Sequence, residues 1–159
     1  MDNKDLRDYL FKEVEIVQNI TGRMANNSFL IKGWAITLIV ASLIVSGAMY
    51  HHYVAFLPWS VFWCLDAYFL RMERLYRKLY DWLIINRQKS EDFLLDMNKA
   101  SLEKRFGKEV PRMLQVMFSR TLVTFYGVLL IIIIVSVYVD LYILPFSLST
   151  FLTMERVPK

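Results

Sequence analysis

Few side chains in this sequence have the type and spacing for covalent chemistry. Ser101-Leu102-Glu103-Lys104 has the S-x-x-K spacing of a serine–lysine dyad. Such four-residue patterns arise readily on a charged helix, and the companion motifs of that dyad are missing. His51 and His52 are the two histidines, adjacent in sequence. Neighbouring positions on a helix or strand diverge, so one chain makes a poor metal site from them. Only an oligomer pooling several pairs would do better, and an interfacial turn is the simpler account. Five glycines leave little room for a phosphate-cradling loop, and none is evident. The single cysteine, Cys64, excludes an intramolecular disulfide and a cysteine zinc cage within one chain. The expectation is a protein that is not an enzyme, with no catalytic residue, no cofactor and no metal.

The informative polar residues are of another kind. Asp66 sits in an apolar stretch five residues before Arg71, roughly 7 Å inside that boundary at helical rise. An acid at this depth has two readings: pairing with a cation such as Arg23 or Lys32 on a neighbouring helix, or a part in ion passage. Further on, Thr121, Thr124, Val128, Ile132, Ser136 and Asp140 share one helical face, polar at both ends and aliphatic between. Lining a pore, Val128 and Ile132 would form a dewetting constriction and Asp140 an acidic ring; the same face equally suits packing against neighbouring helices. Between these lies a mixture of cations and aromatics: Arg71, Arg74, Arg77, Lys78 and Tyr80, then Lys104, Arg105 and Lys108. Cations for phosphates and rings for bases would suit a nucleotide or single-stranded DNA oligomer, whereas juxtamembrane cations also meet anionic lipid and set topology.

The elements that must position these residues follow from charge segregation. Of 159 residues, 56% are apolar, above the roughly 45–50% of soluble domains. The excess is concentrated in Gly33–Leu70 and Thr121–Phe146, and of 19 Lys and Arg only Arg156 and Lys159 follow the last block. Positive charge marks the cytoplasmic side, so the N-terminus and the middle segment belong inside. The predicted architecture is an all-α integral membrane protein with three transmembrane helices. Residues 1–32 hold a cytoplasmic amphipathic helix, with Leu6, Leu10, Val14, Val17, Thr21 and Met24 on its stripe and Glu13 among the charges opposite. This helix packs on its neighbours or assembles as a coiled coil between subunits. Residues 33–70 form a transmembrane hairpin, 71–119 a helical cytoplasmic sensor segment, 120–146 the third span and 147–159 a periplasmic tail. The stretch Gly33–Tyr50 is 18 residues without charge, about 27 Å as a helix, enough to span. Within the sensor segment, Arg71–Arg87 continues the second span, and Ser90 is the expected N-cap of a helix over 91–106 that Gly107 ends.

Three stretches carry a resemblance: RMANNSFLIKGWAITL (Arg23–Leu38), FWCLDAYFLRMERLYRKLYD (Phe62–Asp81) and MFSRTLVTFYG (Met117–Gly127). Together they resemble a family of small bacterial three-span membrane effectors linked to anti-phage defence, and look most like the channel effectors of Hailong systems. The likeness runs from Arg23 to about Gly127 and leaves out the isoleucine run and the tail. It implies an inner-membrane homo-oligomer, with a tetramer favoured. It also implies a channel held shut by single-stranded oligodeoxyadenylate, made by a nucleotidyltransferase encoded nearby. Asp66, Tyr68, Glu73, Arg74, Arg77, Tyr80 and Asp81 match the middle motif by position, without an individual role. The competing expectation is a non-conducting membrane anchor or scaffold that recruits a cytosolic partner through its basic segment.

Overall fold

The computed structural model describes residues 3–45, 52–87, 89, 92, 94–139 and 141. All regular structure among them is helical: α1 (Asn3–Val45), a 3₁₀ turn (His52–Ala55), α2 (Phe56–Asn86), α3 (Lys99–Phe106), α4 (Met113–Met117) and α5 (Arg120–Tyr138). Three of these helices, α1, α2 and α5, are long and apolar enough to cross a membrane. The chain divides into two compact units. The first takes the chain to Ile31 together with Cys64–Ser119, and the second takes Lys32–Trp63 and the chain from Arg120 on.

The boundary drawn between residues 32 and 33 does not interrupt the helix: α1 is one unbroken helix of 43 residues. Gly33 costs about 1 kcal/mol against alanine in a helix interior, which is not enough to interrupt a stripe this continuous. Leu6, Glu13, Val17, Ser28, Ile31, Ala35 and Ile39 are all buried, at spacings that one helical face accounts for. Glu13 therefore corrects the sequence expectation. Its charge placed it on the solvent side, whereas its register, seven residues after Leu6 and four before Val17, places it inside.

In the first unit Val17 packs with Met72, Leu75, Tyr76, Leu79 and Leu83 of α2 and with Leu102, Phe106 and Val110. The inward residues of α2 include Met72, Leu75, Leu79 and Leu83; Ile85 is 64% exposed and Asn86 is half-buried. The helix expected over 91–106 begins only at Lys99. Asp92, Leu94 and Leu95 lie in turns, and the Asn98 side chain caps α3 by accepting from the Ala100 N–H. Ser90 and Glu91, the expected start, lie outside the described residues.

The late start has a physical cause. Arg87 and Glu13, each 1% exposed, form a bidentate pair, Nε to Oε2 at 2.5 Å and Nη2 to Oε1 at 2.8 Å. Arg87 Nη1 also donates to the Asp92 carbonyl at 2.7 Å, and the Leu95 N–H donates to Glu13 Oε1 at 2.7 Å. Both backbone groups are thereby drawn out of any helix, and Leu95 adopts a left-handed φ of 54°.

In the second unit α5 buries Leu122, Tyr126, Leu129 and Ile133. The Trp59 indole donates to the Tyr126 carbonyl at 2.8 Å, and the Tyr126 hydroxyl donates to the Phe62 carbonyl at 3.0 Å. Trp63 stacks on the Tyr126 ring at 6.1 Å between centroids.

Candidate functional site

The cations that the sequence grouped as one ligand site have separate surroundings. Arg71 holds both carboxylate oxygens of Glu103, with Nη2 to Oε2 at 2.8 Å, and its Nε donates to the Pro111 carbonyl at 3.3 Å. This donation holds the Glu103 carboxyl below the usual carboxylate range, against the opposing effect of its partial burial. Arg105 lays its guanidinium over Trp82 at 4.6 Å and over Phe106 at 5.0 Å. Burial lowers its basicity, and the charge of Asp96 partly offsets that. Tyr80 packs against the core, while Lys104 and Lys108 lie exposed.

Arg74, Arg77 and Lys78 do come together. They line a cleft of about 210 Å³ with Asp81, Glu109, Val110 and Pro111. Within it Lys78 meets Glu109 at 3.5 Å, and Arg77 reaches back one turn to Glu73 at 2.6 Å, an i,i+4 pair. The volume is below the roughly 300–1,000 Å³ of pockets that enclose whole small molecules. It suits a single phosphate or carboxylate group, which would compete with Glu109 and Asp81 for the three cations.

Asp66 is fully buried in the first unit, and its Oδ1 accepts from the Ser28 hydroxyl at 2.5 Å. The hydroxyl lies on the stripe of α1 that also carries Val17 and Ile31. Ser101, the candidate dyad serine, donates its hydroxyl to Asp96, which lowers that carboxyl's pKa, and Lys104 is exposed. Among the described residues no three His, Cys, Asp or Glu side chains gather into a metal-sized cluster.

In the second unit, the face of α5 singled out from the sequence points outward. Thr121 and Thr124 are exposed, Val128 is 52% and Ile132 45% exposed, and Ser136 is half-buried. With Ile36, Arg120, Phe125 and Leu129, the first four line an open groove of about 760 Å³. The Lys32 ammonium lies 5.9 Å from the Phe125 ring centroid. Asp140, the expected acidic end of this face, and His51 lie outside the described residues, as does the side chain of His52.

The residues that sequence reasoning missed are Glu13 and Arg87. The signal for Glu13 was its place on the apolar stripe; Arg87 had none beyond ending a long apolar helix. No protein-family model, curated protein or solved structure matches this chain.

Proposed function

We propose that this chain is the subunit of a homo-oligomeric ion channel in the bacterial inner membrane, an effector of anti-phage defence gated by a nucleotide-derived ligand. In this reading α1, α2 and α5 supply the three spans, and the amphipathic N-terminal part of α1 lies in the cytoplasm. The observation that carries the reading is the outward face of α5. Its two threonines and two aliphatics stay open along a groove, although the same helix buries its opposite face. One chain has too few helices to enclose water, so conduction requires several copies. Val128 and Ile132 then form the dewetting constriction and Ser136 and Asp140 the polar mouth. Orientation follows from the cations, which favour a cytoplasmic N-terminus and middle segment.

The ligand would engage Arg74, Arg77 and Lys78 through a phosphate, with exposed Lys104 and Lys108 as further contacts for a longer strand. Arg71 and Arg105 belong to the supporting structure in this reading, because their guanidinium groups already hold Glu103 and cover Trp82. Single-stranded oligodeoxyadenylate from a nucleotidyltransferase, and a tetramer, are the ligand and assembly that the resemblance favours.

Purified protein in liposomes should pass ions in one ligand condition and seal in another; vesicles that stay ion-tight in every condition defeat the channel reading. Arg74→Glu with Arg77→Glu should weaken ligand response by at least about tenfold, roughly 1.4 kcal/mol, while leaving assembly intact. A non-conducting anchor is the second reading. It is favoured by how many cations of the first unit serve internal bonds, Arg71, Arg77 and Arg87 among them. Native mass spectrometry separates the two, since the anchor predicts a monomer or dimer and no depolarisation on expression.

A further inference from the structure

The groove along α5 changes character from one end to the other. Arg120, Thr121 and Thr124 line its first part and Val128, Leu129 and Ile132 the rest, all within the second unit. Between Arg120 and Ile132 the helix rises about 18 Å. One leaflet of hydrocarbon is about 15 Å deep, half of a bilayer core. An arginine at the start of an apolar span keeps its head in the interfacial layer, so the groove runs from headgroup level to about the midplane. Arg120 is exposed, and the Lys32 ammonium lies 5.9 Å from the ring centroid of Phe125, another lining residue. The volume of about 760 Å³ is in the range that takes a whole small molecule.

We infer that this groove binds one anionic phospholipid, its phosphate on Arg120 and an acyl chain laid along Val128, Leu129 and Ile132. The inference rests on the channel reading above, in which α5 is a span, and deepens it. Lipid and water are alternatives in the groove, so the lipid belongs to the sealed channel. Polarity and length converge on this ligand. The guanidinium and two hydroxyls suit phosphate and glycerol oxygens, and the aliphatic part suits a chain that ends near the midplane. A helix from a second copy is a poorer occupant. Helices associate in lipid through small or polar seams, and acyl chains already match the branched Val128 and Ile132 in polarity. Copies in a ring would also bring their Arg120 side chains to one level, where bound anions relieve the repulsion.

Native mass spectrometry of the full-length chain, released from vesicles of mixed phosphatidylglycerol and phosphatidylcholine, tests the site. Phosphatidylglycerol should stay bound at one per subunit, several-fold more than phosphatidylcholine; equal retention overturns the anionic ligand. Arg120→Gln should remove that preference, and Val128→Trp should reduce retention of both lipids. Ile134→Trp, exposed on α5 outside the groove, should change neither. If it displaces as much lipid as Val128→Trp, only the general lipid coat is being read, and the groove is overturned. Short-chain phosphatidylglycerol needs no variant: it should bind several-fold more weakly, and equal binding overturns the seating of the chain. Ion flux scores the channel separately. Arg120→Gln vesicles should leak in the condition that seals the unaltered chain; an equally tight seal overturns the sealed-state role. A chain that conducts and seals without retaining lipid overturns the site and leaves the channel. Lipid retained as expected in vesicles that stay ion-tight in every condition upholds the site and defeats the channel.

Discussion

The two units hold themselves together by different chemistry. In the first, charged side chains pair across elements: buried Glu13 receives the Arg87 guanidinium and the Leu95 N–H, and half-buried Arg71 grips Glu103, while buried Asp66 accepts from the Ser28 hydroxyl. In the second, the bonds across helices come from neutral donors, the Trp59 indole and the Tyr126 hydroxyl, each given to a backbone carbonyl. The difference is the one that a first unit meeting water and a second unit meeting lipid would show. A buried ion pair can be assembled in a region whose loops and surfaces are hydrated. In a bilayer, neutral donors closed on carbonyls leave far less desolvation to offset.

This contrast can be broken most severely at Arg87. Arg87→Ala leaves the Glu13 carboxylate buried without its guanidinium and should cost about 3–5 kcal/mol, lowering the detergent melting temperature by a wide margin. The double variant Glu13→Leu, Arg87→Met should recover much of that loss. If it melts as low as Arg87→Ala, the cost lies in the bonds to Asp92 and Leu95 and not in the stranded charge. Tyr126→Phe is the matching cut in the second unit. Losing one hydroxyl–carbonyl bond should cost only about 1 kcal/mol there, and a loss as large as that of Arg87→Ala would erase the distinction between the units.

Acid probes the first unit in a graded way. Because Arg71 holds the Glu103 pKa down, the stability from that carboxylate is fully present above the ordinary glutamate value of about 4.3. It fades as pH falls through the lowered value in the folded chain. Melting temperature should drop over that window, and Glu103→Gln should flatten the drop; an unchanged profile would assign the acid sensitivity to other carboxylates. Leu95→Gly should have the smallest effect. It relieves a left-handed leucine worth about 1 kcal/mol and gives back a similar amount in chain entropy, so the melting temperature should barely move.

How much of this was legible in sequence depended on whether one signal or several competed. The three long apolar helices, the continuation of α2 past Arg71, the Glu73–Arg77 pair and the end of α3 at Gly107 follow from local pattern. The unbroken α1 was hidden by reading Gly33 as a boundary, when the stripe through Ile31 and Ala35 outweighs a single glycine. Glu13 was misread because charge was given priority over register. The start of α3 was unreadable locally, since a contact 82 residues distant in sequence, from Glu13 to Leu95, decides it. Of the grouped cations, three share a cleft because Arg74, Arg77 and Lys78 recur at helical spacing on α2. Arg71 and Arg105 go elsewhere because tertiary partners claim them.

The indole–carbonyl bond from Trp59 to Tyr126 carries one more consequence. Together with the phenol bond returned to Phe62, it fixes the axial register of α5 against the start of α2 from both directions. A piston stroke of α5 by even half a turn would strand an indole N–H and a phenol in hydrocarbon. Tipping about the level of Tyr126 displaces these two bonds least, which makes that residue the fulcrum for a tilt of the helix.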